Sequence, residues 1–325
     1  MSVVRATLSI DVARVAPAGV KHVVADVFTR RELSASTVAP PAVAICCLPG
    51  GGMSRRYFDL DVPAELGNYS MARHLAQAGF VVVTLDHPGI GDSDRPDDGY
   101  TLDPGTVADV NHVAFATVIA RLRDGTASAE VAPVPDVVSI GLGHSMGALL
   151  TVHQQARHPS HSGLALLGFS GGGLRSQLND AELAVADNPA AARAALVELT
   201  RARWGEPLPR GSTATSPMLV RGDPPAAALE AIGASSTSLL ALCGLTSMLP
   251  GASRAELDAI DVPVFLGVGE LDITGPPHAI PAHFPASRDV TLFVLPDSGH
   301  NHNVDAGRVA LWDRVARWAR DVGNI

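Results

Sequence analysis

The sequence is poor in several features that mark particular classes of protein. It has three cysteines in 325 residues. Cys46 and Cys47 are neighbours within one apolar run, Cys243 lies in another, and no Cys-x-x-Cys occurs. Neighbouring cysteines rarely pair, so a disulfide framework is excluded and reduced, buried thiols are expected. Lysine is almost missing: Lys21 is the only one, and arginine supplies the other basic residues. The formal net charge is -9, with no basic stripe. Such a chain is a poor partner for nucleic acid or another anionic polymer. No apolar run approaches the roughly 18 residues a membrane helix needs. The opening MSVVRATLSIDVARVAP carries Asp11 and lacks a long apolar core, which argues against a signal peptide. A cytoplasmic protein with no membrane partner is expected.

What is present is a 46% hydrophobic content against 18% charge, enough for a sizeable core and too apolar for disorder. Residues 3–15 and 20–29 are rich in β-forming residues and flank Pro17-Ala18-Gly19, which reads as a hairpin or two edge strands. Apolar runs then recur at Val43–Leu48, Phe80–Leu85, Val137–Leu142, Leu164–Phe169, Val264–Val268 and Val290–Leu295. They are continuous rather than alternating, as in strands covered on both faces. Helical patterns fall between them, near 70–78, 106–122 and 147–157, with a last one over 305–322. Strand–helix alternation predicts a mostly parallel α/β sheet. The alternation breaks at 171–258, where no strand is evident and several helices are expected as an insertion. The expected organisation is a core at 1–170, a helical insertion at 171–258 and the remaining core at 259–325.

One stretch has the shape of strand, tight turn, helix: VVSIGLGHSMGALL, residues 137–150. A dinucleotide site would need a third glycine where Met146 stands, and an acidic residue about 20 positions on. HSGLALLGFS, residues 161–170, contains none. The other chemistry is a nucleophile elbow, Gly143-His144-Ser145-Met146-Gly147. A serine at such a turn sits in a crowded backbone, and small residues two before and two after relieve the crowding. The helix that follows aims its N–H groups at developing negative charge. Taken alone the pattern is only moderately specific, since a tight turn with a solvated serine would read the same.

Serine needs a base, and the base needs a carboxylate to orient it. Both should follow Ser145, each after a later strand. The run 263–269 leads into Glu270-Leu271-Asp272, and 290–295 leads into Pro296-Asp297-Ser298-Gly299-His300. In this order of motifs the chain resembles the α/β-hydrolase superfamily over nearly its whole length. The resemblance implies a mostly parallel eight-stranded sheet flanked by helices, with a helical cap inserted. It implies Ser145 as nucleophile, Asp272 as acid and His300 as base. Glu270 is the rival acid and His302 the rival base, while Asp297 is expected to tie its loop by side-chain bonds to backbone.

The resemblance further implies an oxyanion hole from the backbone N–H groups of Met146 and Gly51. Gly51 lies in Leu48-Pro49-Gly50-Gly51-Gly52-Met53, where Pro49 replaces the family's usual histidine, so the local hydrogen bonding must differ. A second echo is Asp86-His87-Pro88-Gly89-Ile90-Gly91-Asp92-Ser93, read as scaffold with His87 near the pocket. Arg55 and Arg56 are expected on the surface, with a grip on a substrate carboxylate as the alternative. Tyr57 and Phe58 are open between pocket and core. His144 is expected beneath the elbow. The apolar residues Leu239, Leu240, Leu242, Leu245, Met248 and Leu249 suit either a pocket or mere packing of the insertion. The spacing His300-Asn301-His302 is not matched by a metal-ligand set, and no metal or cofactor is expected.

The function implied is a serine hydrolase acting on a small to medium, apolar ester. Thioesterase, acyltransferase or carbon–carbon bond hydrolase and lyase chemistry stays open on the same fold, as does a non-catalytic ligand-binding member.

Overall fold

A computed structural model describes residues 2–30, 42–210 and 215–323. Strands β1 (Val3–Asp11) and β2 (His22–Arg30) pair antiparallel, Val3 opposite Arg30. Pro17-Ala18-Gly19 falls in the turn, and Gly19 there has φ +90°. β1 buries alternate residues, whereas β2, between two strands, is buried almost throughout. The hairpin reading is correct, although β1 ends at Asp11 and residues 13–15 turn away.

Six further strands follow: β3 (Ala42–Leu48), β4 (Val81–Leu85), β5 (Val137–His144), β6 (Leu164–Leu167), β7 (Val264–Gly269) and β8 (Val290–Leu295). Their order is β1-β2-β4-β3-β5-β6-β7-β8. β2 meets β4 antiparallel; from β4 to β8 all neighbours run parallel. The chain steps from β3 to β4 on one side, then crosses to β5 on the other. Strand order therefore reverses at β3, and a crevice opens at the carboxyl ends of β3 and β5. Leu48 and Gly143 are paired there.

Helices α1 (Met71–Gln77) and α9 (Arg308–Gly323) cover one face of the sheet, α2 (Pro104–Asp124) and α3 (Met146–Arg157) the other. Local sequence starts and stops them. Ser70 caps α1 by accepting from the Arg73 N–H at 3.0 Å, Asp103 caps α2 through Thr106, and Gly125 ends α2 in the left-handed region. Alternation along β3 divides the core: Val43, Ile45 and Cys47 face α1 and α9, while Ala44, Cys46 and Leu48 face the α2 side. All three cysteines are buried and unbonded to one another, and burial pushes the Cys46 thiol up to about 12. α9 begins three residues later than expected, because 305–307 form a bend and turn after a 3-10 turn at 302–304. No described helix is long and apolar enough to cross a membrane.

Between β6 and β7 the described chain forms α4 (Asp180–Leu183), α5 (Pro189–Trp204), α6 (Ala226–Ala234), α7 (Ala241–Met248) and α8 (Arg254–Asp258). α5 and α7 share a small core of their own through Ala192, Leu196, Leu242, Leu245 and Leu249.

One expectation fails here. Arg55 is not on the surface: it is 3% exposed. Its guanidinium meets Asp26 at 2.9 Å and Asp92 at 2.8 Å, and also pairs with Asp86. The Asp86 carboxylate takes in addition the backbone N–H groups of Arg55 and Asp92. Arg56 does stay exposed, with Asp92 at 3.4 Å. The loop 86–93 is therefore scaffold built round a buried ion cluster. Removing Arg55 would leave the fully buried Asp86 carboxylate without its counter-charge. Arg55→Ala is expected to lower the unfolding free energy by about 3–5 kcal/mol in a urea titration; a loss below about 1 kcal/mol, the worth of a surface pair, would contradict the cluster.

Candidate active site

β5 leads into Ser145, whose φ of 55° and ψ of -121° are rarely adopted by a residue with a side chain. Its neighbours explain how the turn is tolerated. A Cβ on Gly143 would lie 2.4 Å from the Gly147 carbonyl oxygen, and a Cβ on Gly147 only 2.2 Å from that of Leu48. Only glycine fits at either position. The Ser145 N–H donates to the Leu167 carbonyl at 2.8 Å, pinning the turn to the end of β6.

The turn presents Ser145 Oγ to His300. The hydroxyl lies 2.8 Å from His300 Nε2, and His300 Nδ1 lies 2.7 Å from Asp272 Oδ1. Asp272 closes the turn after β7, its N–H donating to the Gly269 carbonyl at 3.2 Å. Its side chain is wholly buried, which by itself would push the carboxyl up. The imidazoles of His300 and His302 outweigh burial and hold it well below the usual carboxylate range. An ionised Asp272 accepts only, so His300 Nδ1 carries the proton and Nε2 offers its lone pair to the serine hydroxyl.

The rivals lie elsewhere. Glu270 is exposed and accepts the Asp297 N–H at 3.1 Å. His302 is 1% exposed and places Nε2 3.1 Å from Asp272 Oδ2, so both carboxylate oxygens are held by histidines. The expectation for Asp297 is not met: Asp305 ties the histidine loop instead, accepting from the Ser298 hydroxyl and from the Gly299 N–H at 3.0 Å. Neither Asp305 nor the role of His302 had a sequence signal beyond closeness to His300. His144 lies beneath the elbow as expected. It stacks on Tyr57 at 4.6 Å and donates from Nε2 to the His300 carbonyl at 2.8 Å. Burial, and then His300 and His302, hold its ring well below the ordinary histidine value.

Pairing of β3 with β5 sets the loop 49–53 beside the elbow. Gly51 and Met146 approach so closely that a Cβ on Gly51 would stand 3.7 Å from Met146 Sδ. Among the described residues, no backbone carbonyl accepts the N–H of Gly51 or of Met146. Both residues line a cavity of about 170 Å³ with Ser145 and His300. Its other walls are mainly apolar: Met53, Leu174, Trp204, Leu239, Met248 and Ile273. Leu239 and Met248 thus face the cavity, whereas Leu240, Leu242, Leu245 and Leu249 pack internally. Tyr57 and Phe58 are core residues. A larger cleft of about 740 Å³ lies away from Ser145, and its Arg5, Asp26, Asp59 and Arg73 already pair with one another.

The helical insertion is bonded to both loops of the site. The Leu219 carbonyl accepts from the N–H groups of His300 and Asn301, at 2.9 and 2.8 Å. The Ser54 N–H donates to Ser235 at 2.9 Å, and the Thr237 N–H to Gly52 at 2.8 Å.

The sequence profile of the alpha/beta hydrolase family matches residues 47–311, which include the loop 49–53, Ser145, Asp272 and His300. The chain belongs to this family. No curated protein matches it significantly in sequence. Solved alpha/beta hydrolase structures share its fold at low identity. A lipase in its open form has a TM-score of 0.63 at 17% identity, covering 99% of this chain and 100% of its own. A bromoperoxidase from Bacillus anthracis has 0.60 at 15%, covering 97% and 100%. An esterase from Exiguobacterium antarcticum has 0.60 at 17%, covering 92% and 96%. At these identities the likeness shows the shared fold, and the chemistry must be argued from the site.

Several buried histidines give the alpha/beta hydrolase domain an acid-side dependence. Burial lowers His87 and His161 from the ordinary 6.5 to about 4. Between those values the unfolded chain binds protons that the folded one refuses, so stability falls as pH drops. The difference in unfolding free energy between the wild type and His161→Gln is expected to shrink on acidification from 6.5 towards 4, by up to about 1.4 kcal/mol per unit. Denaturant titrations at stepped pH measure it; a constant difference would mean that the folded ring accepts the proton.

Proposed function

We propose that this alpha/beta hydrolase cleaves carboxylic esters of small to medium, apolar molecules through an acyl-enzyme. The observation that carries this reading is the unbroken chain from Ser145 through His300 to Asp272, ending in a cavity beside two N–H groups that no backbone carbonyl accepts among the described residues. Ser145 Oγ attacks the ester carbonyl while His300 Nε2 takes its proton. The Gly51 and Met146 N–H groups receive the developing oxyanion, and the N-terminus of α3 adds its dipole. His300 then returns the proton to the departing alcohol. Asp272 keeps the imidazole in the required tautomer and stabilises its charged form. Water enters, gives a proton to His300 and releases the acid, after which the proton returns to Ser145.

The size and apolar walls of the cavity support a compact ester, since a polar substrate would leave its own groups unpaired there. The insertion at 171–258 serves as a cap that excludes water from the reacting centre. A small-molecule ester is the partner this reading requires. The esterase and lipase among the structural neighbours are consistent with it.

Incubation with a serine-directed phosphonate is expected to label Ser145 covalently, and p-nitrophenyl acetate and butyrate are expected to turn over faster than the laurate. Ser145→Ala should lower kcat by at least about 10⁴-fold. An unlabelled Ser145, or ester turnover that survives Ser145→Ala, overturns the proposal.

A further inference from the structure

The oxyanion loop has an unusual problem of anchorage. Pro49 has no N–H, and Gly50, Gly51 and Gly52 have no side chains, so the segment can be held only through its main chain. Within it, the Met53 N–H donates to the Gly50 carbonyl at 3.2 Å, and Gly52 is held from the insertion. At its start stands Pro49, whose carbonyl oxygen is pressed against the elbow: a Cβ on Gly147 would come within 2.5 Å of it. That carbonyl belongs to the peptide immediately before the one that bears the Gly51 N–H.

We propose that His87 is a positioning residue for the oxyanion hole, holding the Pro49 carbonyl through Nε2–H while Asn111 selects the tautomer that makes this possible. The inference rests on the ester-hydrolase reading for its kinetic consequence, though not for its geometry. His87 Nε2 lies 3.2 Å from the Pro49 carbonyl oxygen, and Asn111 Nδ2 lies 3.0 Å from His87 Nδ1. Both side chains are fully buried. A carbonyl oxygen can only accept, so Nε2 must carry a proton. In the neutral ring Nδ1 is then a lone pair, and Asn111 must turn its amide nitrogen towards it. The reverse orientation of the amide would place a proton on Nδ1 and set a lone pair of Nε2 against the Pro49 oxygen. Asn111 Oδ1 is left without a partner among the described residues, which agrees with an orientation dictated by the histidine. Burial, which keeps this imidazole neutral well below pH 6.5, holds the arrangement in one protonation state.

His87 does not line the cavity beside Ser145. It acts through the direction of the Pro49 peptide, and with it that of the Gly51 N–H. A group that positions an oxyanion donor contributes when charge develops on the substrate, so its loss should appear in kcat rather than in KM.

Two measurements test the proposal. Long-range proton–nitrogen NMR of the intact protein at neutral pH is expected to show His87 as the Nε2–H tautomer. An Nδ1–H tautomer or a charged ring overturns the proposal whatever the substrate is. In ester turnover, His87→Leu is expected to lower kcat by about 100-fold with KM within about twofold of wild type. His87→Gln, whose amide can still donate, should recover at least about tenfold of that loss, and Asn111→Leu should reduce kcat with the same split. Equal losses in the Leu and Gln variants, or a change confined to KM, overturn it. Should His87→Leu not fold, the tautomer and the Gln and Asn111 variants still decide. Absence of ester turnover in the wild type with the Nε2–H tautomer present would remove the ester reading and leave the anchor standing.

Discussion

Everything at this site depends on how closely two backbones can approach. β3 and β5 run side by side, and the turn after β5 must pass within contact distance of the turn after β3. Gly147 lies where any side chain would strike the Leu48 and Pro49 carbonyls, and Gly143 where it would strike the first turn of α3. Because both are glycine, Ser145 can take a positive φ and stand clear of the sheet, with its N–H pinned to β6. The same approach sets Gly51 and Met146 beside the serine, in the wall of one cavity. In the proposed reading, the nucleophile and its electrostatic partner thus follow from a single packing constraint.

Around that turn the histidines divide the labour by tautomer. His300 must present a lone pair at Nε2 and a proton at Nδ1, and the ionised Asp272 enforces this. His144 and His87 carry the proton at Nε2, each donating it to a carbonyl: His144 to that of His300 itself, His87 to that of Pro49. His302 occupies the second oxygen of Asp272. A buried carboxylate with one unbonded oxygen would be free to rotate or to protonate. With both oxygens engaged it is fixed in charge and direction.

The helical insertion adds a second level of order. Its backbone reaches the oxyanion loop at Gly52 and Ser54 and the histidine loop at Leu219, while Leu239 rests on Gly51. These contacts join two loops, far apart in sequence, through a third segment that also walls the cavity. A displacement of the insertion would therefore alter both the shape of the pocket and the support of the two loops beside Ser145. In the proposed reading, substrate size and catalytic geometry are coupled through the same few hydrogen bonds.

The sequence by itself determined the parts whose physics is local. Apolar runs bounded by turns marked the strands, with errors of a few residues at the ends. Glycine spacing about Ser145 marked the elbow, because crowding acts over two residues in either direction. Asp272 and His300 were legible from chain order, each in a loop after a later strand, as the family resemblance implies. What only the tertiary structure decided were the partners of groups separated along the chain. Arg55 read as a surface residue because nothing nearby in sequence shows that Asp26 and Asp86 enclose it. His87, Asn111 and Pro49 come from three different segments, His302 and Asp272 from two, and Asp305 rather than Asp297 ties the histidine loop. Hydrogen bonds and ion pairs depend on distance and direction in space, which strand order sets and local sequence does not record.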